Sequence, residues 1–169
     1  MKIALKYALI YSGINIVWGL VMFVTDLTRS DMSWVFNILS MAIPVVCIVF
    51  ATKEYKATIG NGWMKFSDVF KQGLLIFVIG GIITAAYTVL YVTVIDPDFM
   101  TFIQEKQMNK MLEIGMPEEQ VEQQLNMSAK FQTPFWMFTW TLLGTLLIGT
   151  LISLIMASVL KKPNPEEIA

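Results

Sequence analysis

The chain has 169 residues, of which 56% are hydrophobic and 15% charged, with a net charge of −1 and a mean hydropathy of +0.62. A soluble domain carries about 25% charged residues, so the composition points away from the soluble class. With no net positive charge and no basic stripe, it also points away from nucleic acid as a partner. Histidine is absent, which removes the commonest general base, the commonest metal ligand and the usual near-neutral pH switch.

The charges cluster and leave four uncharged runs, at residues 7–25, 32–52, 72–95 and 131–160. A helix rises 1.5 Å per residue, so about 20 residues cross a hydrocarbon core of roughly 30 Å. All four runs qualify as transmembrane spans, the fourth over 134–160 with its first turns, 131–136, in the interface. The residues before the first run resemble the basic region of a signal peptide. That run is nevertheless longer than the ~15 residues of a signal core and lacks a small-x-small cleavage site, so a retained span is expected.

Within span one, Asn15 is a polar exception. A tight turn over 26–31 leads to span two, whose stripe Ser33, Asn37, Ser40, Pro44, Cys47 and Ala51 should face the bundle, with Pro44 kinking the helix. Asn15 and Asn37 are expected to form interhelical hydrogen bonds or, with Ser40, to line a path for a ligand. Cys47, inside an apolar run and alone, reads as a buried inert thiol. The connection over 53–71 contains Gly60-Asn61-Gly62, a turn signal. Trp63, Phe66 and Phe70 alternate there with lysines, as in a segment lying on the membrane surface, and Ser67-Asp68 offers an N-cap for span three.

Span three carries Gly81 and Ala85 at a four-residue spacing. The following segment, 96–130, is the sizeable polar element. Asp96-Pro97 reads as a helix start, Gly115 as its stop, and Pro117 with Glu118 and Glu119 as a second start. An extracytoplasmic amphipathic helical hairpin is expected. Its acids Asp96, Asp98, Glu105, Glu113, Glu118, Glu119 and Glu122 outweigh three lysines, for a net charge of −4. Span four carries a ladder of small residues every fourth position, Thr141, Thr145, Gly149, Ser153 and Ala157, where another helix can approach closely. That helix belongs either to this chain or to a partner subunit.

Orientation follows the lysines and arginines. Lys2, Lys6, Lys53, Lys56, Lys65, Lys71, Lys161 and Lys162 fall on one side, against Arg29, Lys106, Lys110 and Lys130 on the other. The richer side is expected to be cytoplasmic, placing both termini inside and 96–130 outside. Trp34, Tyr91, Trp136 and Trp140 would form the outer aromatic belt, and Tyr7, Tyr55 and Trp63 the inner one.

Five segments carry a family resemblance. They are Met1-Lys2-Ile3-Ala4-Leu5-Lys6-Tyr7, the stretch from Lys65 to Gly73 (KFSDVFKQG), Ile95-Asp96-Pro97-Asp98-Phe99, Gly115-Met116-Pro117-Glu118-Glu119-Gln120-Val121, and the glycine-spaced last span ending in Lys161-Lys162. In this order, over nearly the whole chain, they resemble a bacterial inner-membrane family catalogued as domain of unknown function 4199. Pro117 departs from the resemblance, standing where a serine or threonine cap is expected. The resemblance implies four spans and brings no activity, cofactor or catalytic residue.

The expected fold is thus an all-α integral membrane protein with a single four-helix domain and an outer hairpin. No charged residue lies inside an apolar run, where transporters usually place one, and no nucleotide, zinc or nucleophile motif is found. Catalytic residues, metal and cofactors are expected to be absent. The function expected is a non-enzymatic accessory or scaffold protein of the cell envelope, which binds a membrane or periplasmic partner through span four and the hairpin. The alternative is a small homo-oligomeric transporter or lipid flippase.

Overall fold

The structure, a computed structural model, describes residues 1–30 and 33–164; the side chains of Ser33 and Asn37 also lie outside the described set. Its helices in chain order are α1 (Lys2–Val24), α2 (Ser33–Ser40), α3 (Ala42–Thr58), α4 (Phe66–Leu90) with a π-helical turn Tyr91–Ile95, α5 (Phe99–Glu113), α6 (Glu118–Ala129) and α7 (Pro134–Leu160). Four stretches, Lys2–Val24, Trp34–Thr58, Phe66–Ile95 and Pro134–Leu160, are long and apolar enough to cross a membrane. Among the described residues the chain is all-helical apart from one backbone pairing, Met64 with Lys162.

Span two is interrupted where its proline predicts. Pro44 has no N–H to give to the Ser40 carbonyl, and its ring crowds that carbonyl. The helix breaks at Met41, between α2 and α3, and the Met41 N–H turns back to Ile38 O at 3.1 Å. Pro44, Cys47 and Ala51 of the expected inward stripe are buried.

The chain divides into two compact units, residues 1–84 with 142–169, and residues 85–141. In the first unit, Ala4, Tyr11, Cys47, Ile48, Ala51, Ile76 and Phe77 form the core, drawn from α1, α3 and α4. Tyr11 meets Phe77 edge to face with centroids 5.7 Å apart. α4 and α7 run antiparallel in a close seam. A methyl added at Gly73 would sit 2.6 Å from Ser153 Oγ, one at Gly149 would overlap the Cβ and Cγ of Phe77, and one at Gly81 would lie 3.1 Å from Thr145 Cγ2. Val69 and Ala157 share a buried cluster one turn further along. Each step of four up α4 is matched by a step of four back along α7, the register of ridges formed by every fourth residue. The opposite side of α7, with Leu147, Leu151, Ile155 and Val159, is exposed and apolar, as a lipid-facing surface must be.

One end of this unit is closed by polar contacts. Met64 and Lys162 exchange backbone hydrogen bonds of 2.8 Å each way, and Lys56 Nζ donates to Leu160 O at 2.6 Å. Lys162 Nζ lies 4.6 Å from the Trp63 ring centroid. Glu54 accepts from Lys6 Nζ at 2.7 Å and from Tyr7 OH at 2.8 Å. These contacts gather the start of α1, the end of α3, the start of α4 and the end of α7; we call this the basic end. Phe66 and Phe70 of the stretch expected to lie on the membrane surface belong to α4, the helix of span three. The cap position falls on Lys65, whose carbonyl takes the Asp68 and Val69 N–H groups, rather than on Ser67-Asp68.

In the second unit α5 and α6 pack on one another across a turn at Gly115. Gly115 has φ +82°, its N–H bonds Leu112 O and the Met116 N–H bonds Met111 O. This paired closure of a helix end favours glycine. Pro117 occupies the N-cap of α6 without a side-chain bond, and Glu118 and Glu119 stand in the first turn. α7 opens with Pro134 at its first position behind Thr133, whose Oγ1 and O accept from the Trp136 and Met137 N–H groups. Two expectations are corrected in this unit. Asp96 does not cap α5; Asp98 holds that position, because the π turn draws the Asp96 N–H back onto Tyr91 O at 2.8 Å. Tyr91, expected in the outer aromatic belt, is turned inward rather than exposed. It is 8% exposed, donating its hydroxyl to Asp96 Oδ2 at 3.3 Å and meeting Phe99 edge to face.

Gly149→Leu forces the Phe77 side chain off its seat, and overpacking of this kind costs typically 1–3 kcal/mol. Gly144, on the same helix, has nothing within 4 Å of an added Cβ. Thermal unfolding of the purified protein in detergent should fall clearly for Gly149→Leu and hardly for Gly144→Leu. Equal losses would show that α4 and α7 do not meet at this seam.

Candidate functional site

The ladder of α7 is the first candidate, and the structure assigns its middle rungs to packing inside the chain. Thr145 and Gly149 lie against Gly81 and Phe77, Ser153 against Gly73, and Ala157 in the cluster with Val69. Ala85 is fully buried and Thr141 half-buried. A partner helix cannot use Gly149 and Ser153 without displacing α4, so the seam reading of span four gives way to the exposed leucine face of α7.

The intramembrane polar residues divide. Asn15 donates to Tyr11 O at 2.8 Å, a bond within its own helix rather than the expected bridge between helices. Asn15 and Ser40 do come together, along a cavity of about 150 Å³ with Tyr11, Pro44, Phe77 and Thr145 in its wall. The third expected member, Asn37, lies outside the described side chains.

The acids of 96–130 are spread over distinct environments. Asp96 is buried beside Tyr91, whereas Asp98, Glu118, Glu119 and Glu122 are exposed. Among the described residues no three acidic or thiol groups converge closely enough to hold a metal ion. Gln104 and Gln132 bond amide to amide, tying α5 to the segment that precedes α7. The same unit also exposes apolar side chains, among them Ile114, which is 78% exposed, and Met127.

Three buried polar groups also stand out in the first unit: Ser153, already a rung of the ladder, and Thr52 and Gln72, which no motif in the sequence marks. Thr52, Gln72 and Ser153 are buried, and the Thr52 and Ser153 hydroxyls and both polar atoms of the Gln72 amide have no hydrogen-bond partner in the protein. A helical threonine or serine normally returns its hydroxyl to the carbonyl four residues back, as Thr58 does here to Glu54 O. An unpaired buried polar group costs about 1–3 kcal/mol. Gln72 also borders a cavity of about 390 Å³ between α1, α3 and α4, together with Lys2, Ile3, Tyr55, Asp68, Lys71 and Leu75. The signal that could have found Gln72 is its place as the first residue of an apolar run, nearly two turns inside the helix that begins at Phe66.

Four apolar helices of spanning length, with the polar contacts gathered at their ends, define a multi-pass helical membrane protein. The chain belongs to the family described as a protein of unknown function, DUF4199, whose model matches residues 6–162. Neither a curated protein nor a solved structure matches it.

Thr52→Val removes an unpartnered buried hydroxyl while nearly preserving shape. It should raise stability in detergent by about 1 kcal/mol. A loss of stability instead would mean that the Thr52 hydroxyl is hydrogen-bonded in the folded protein.

Proposed function

We propose that the chain is a non-enzymatic accessory or scaffold protein of the bacterial cell envelope, inserted in the inner membrane with both termini cytoplasmic. The observation that carries this reading is the surface of the second unit, which exposes Glu118, Glu119 and Glu122 and also the apolar Ile114 and Met127. Exposed acids together with exposed apolar side chains, in a segment outside the apolar runs, suit docking of an envelope protein. The small-residue ladder turns inward onto α4, so the docking surface narrows to this acidic face. It would belong to an extracytoplasmic hairpin formed by α5 and α6.

A photo-crosslinking residue at Glu119 or Gln123 in the native membrane should yield a discrete heteromeric product. Glu118→Lys, Glu119→Lys and Glu122→Lys together should abolish that product while membrane insertion stays normal. Absence of any product at these positions would sink the docking reading. The second reading, a homo-oligomeric transporter or lipid flippase, is favoured by the cavity beside Asn15 and Ser40. It requires that the same probe at Leu147 or Leu151, on the exposed face of α7, give a product of twice the chain mass.

Orientation rests on the excess of lysine at the basic end. In a Cys47→Ala background, Asn126→Cys should react with a membrane-impermeant thiol reagent in intact cells, and Lys161→Cys only after permeabilisation. The reverse pattern would invert the topology.

A further inference from the structure

We propose that the cavity at the basic end binds the headgroup of an anionic phospholipid, its phosphate between Lys2 and Lys71 and a headgroup hydroxyl on Asp68. The cavity's volume of about 390 Å³ falls in the range of roughly 300–1,000 Å³ usual for small-molecule sites. Its wall joins the three kinds of chemistry that such a lipid presents. Lys2 and Lys71 supply two ammonium groups, Asp68 one carboxylate, and Leu75 an apolar flank. Two cationic side chains against one carboxylate favour an anionic headgroup. Asp68 has no use for a phosphate oxygen but accepts a hydrogen bond from a glycerol hydroxyl, so phosphatidylglycerol fits better than a bare phosphate ester.

Depth selects a lipid over a soluble anion. Lys2 and Asp68 stand in the first turns of α1 and α4, before the apolar runs begin, whereas Leu75 lies inside the run 72–95 and is 37% exposed. The cavity therefore reaches from the headgroup layer into hydrocarbon depth, where a glycerol backbone and acyl chain can follow Leu75. Basic pockets between spans are where anionic headgroups settle. Gln72 is the independent mark of a ligand. The residue is 7% exposed and borders this cavity, and its buried amide has no hydrogen-bond partner in the protein. A change of side-chain rotamer turns its N–H groups toward a phosphate oxygen.

The test uses the full chain in detergent micelles, with thermal stability followed as lipid is added at low mole fraction. Phosphatidylglycerol should raise the unfolding temperature saturably, and phosphatidylcholine and phosphatidylethanolamine should not. Lys2→Ala and Lys71→Ala should each weaken the apparent affinity about fivefold, and Gln72→Leu should weaken it without unfolding the protein. Lys161→Ala, an exposed lysine at the same end but outside the cavity, should leave the affinity unchanged. An equal loss with Lys161→Ala would overturn the site in favour of diffuse surface attraction. Equal stabilisation by glycerol phosphate or inorganic phosphate would overturn the lipid assignment, and equal stabilisation by phosphatidylethanolamine the charge selection.

Discussion

Close approach of α4 and α7 is the constraint from which the first unit follows. Within a bilayer, apolar side chains gain little by leaving lipid for a neighbouring helix, so association rests on van der Waals fit and a few hydrogen bonds. Fit is what the pairs Gly73 with Ser153, Phe77 with Gly149, Gly81 with Thr145 and Val69 with Ala157 provide. Phe77 is the knob: it fills the notch left by Gly149 on one side and meets Tyr11 of α1 on the other. A single large side chain thereby links three helices, and a small residue at Gly149 is the condition for its position. Rotating α7 by one residue would replace that notch with Ile148 or Thr150 and close the seam to it.

The same register decides what happens at the basic end. With α7 set antiparallel to α4, its last turn arrives beside Met64, and the backbones of Met64 and Lys162 pair. A helix leaves its final carbonyls without partners; here Lys56 reaches across from α3 to the Leu160 carbonyl. A cation at a helix C-terminus also sits favourably in the helix dipole. Glu54 plays the matching part for α1, accepting from Lys6 and Tyr7 together. Lys6 is largely exposed, so that ion pair contributes little to stability and acts more to fix which helix end lies beside which. The lysines on which the expected orientation rests are therefore partly the residues that tie the helix ends of this unit together.

Span number and span length were legible because they answer to one external length, the thickness of the hydrocarbon core. The ladder on α7 was legible as a place of close contact, but small residues announce proximity without saying to what. The answer lay in the matching steps Gly73, Phe77 and Gly81, and a phenylalanine in that series looks like any other lipid-facing residue. Local ends were harder. Asp96-Pro97 has the composition of a helix start, yet the π turn at Tyr91–Ile95 buries Asp96 and passes the cap to Asp98. That outcome depends on the bonds of the π turn itself, from the Asp96 N–H to Tyr91 O and from the Tyr91 hydroxyl to Asp96, which the composition of a helix start does not announce. Gln72 was passed over for a similar reason: it stands at the edge of an apolar run, where a glutamine reads as a solvated flank, and only the packing of α1 and α3 over it makes it a buried one. Asn15 misled in the opposite sense, because a helical asparagine can satisfy its amide on its own backbone and does so on Tyr11 O.

The distribution of polar groups also bears on where the protein can act. The cavity beside Asn15 and Ser40 holds about 150 Å³, and a water molecule occupies about 30 Å³ of the liquid, so it accommodates on the order of five waters. A phospholipid headgroup with its hydration does not pass through such a space within one copy of the chain. The unpaired polar groups lie elsewhere, with the Gln72 amide beside a cavity more than twice as large at the basic end. The exposed acids lie on α6 in the other unit. The close packing of the first unit and the polar contacts at its helix ends support the accessory role proposed above, in which the spans hold position in the membrane and present those ends. On the proposals above, lipid headgroups at the basic end and a protein partner at the exposed acids of α6 are the two kinds of molecule bound.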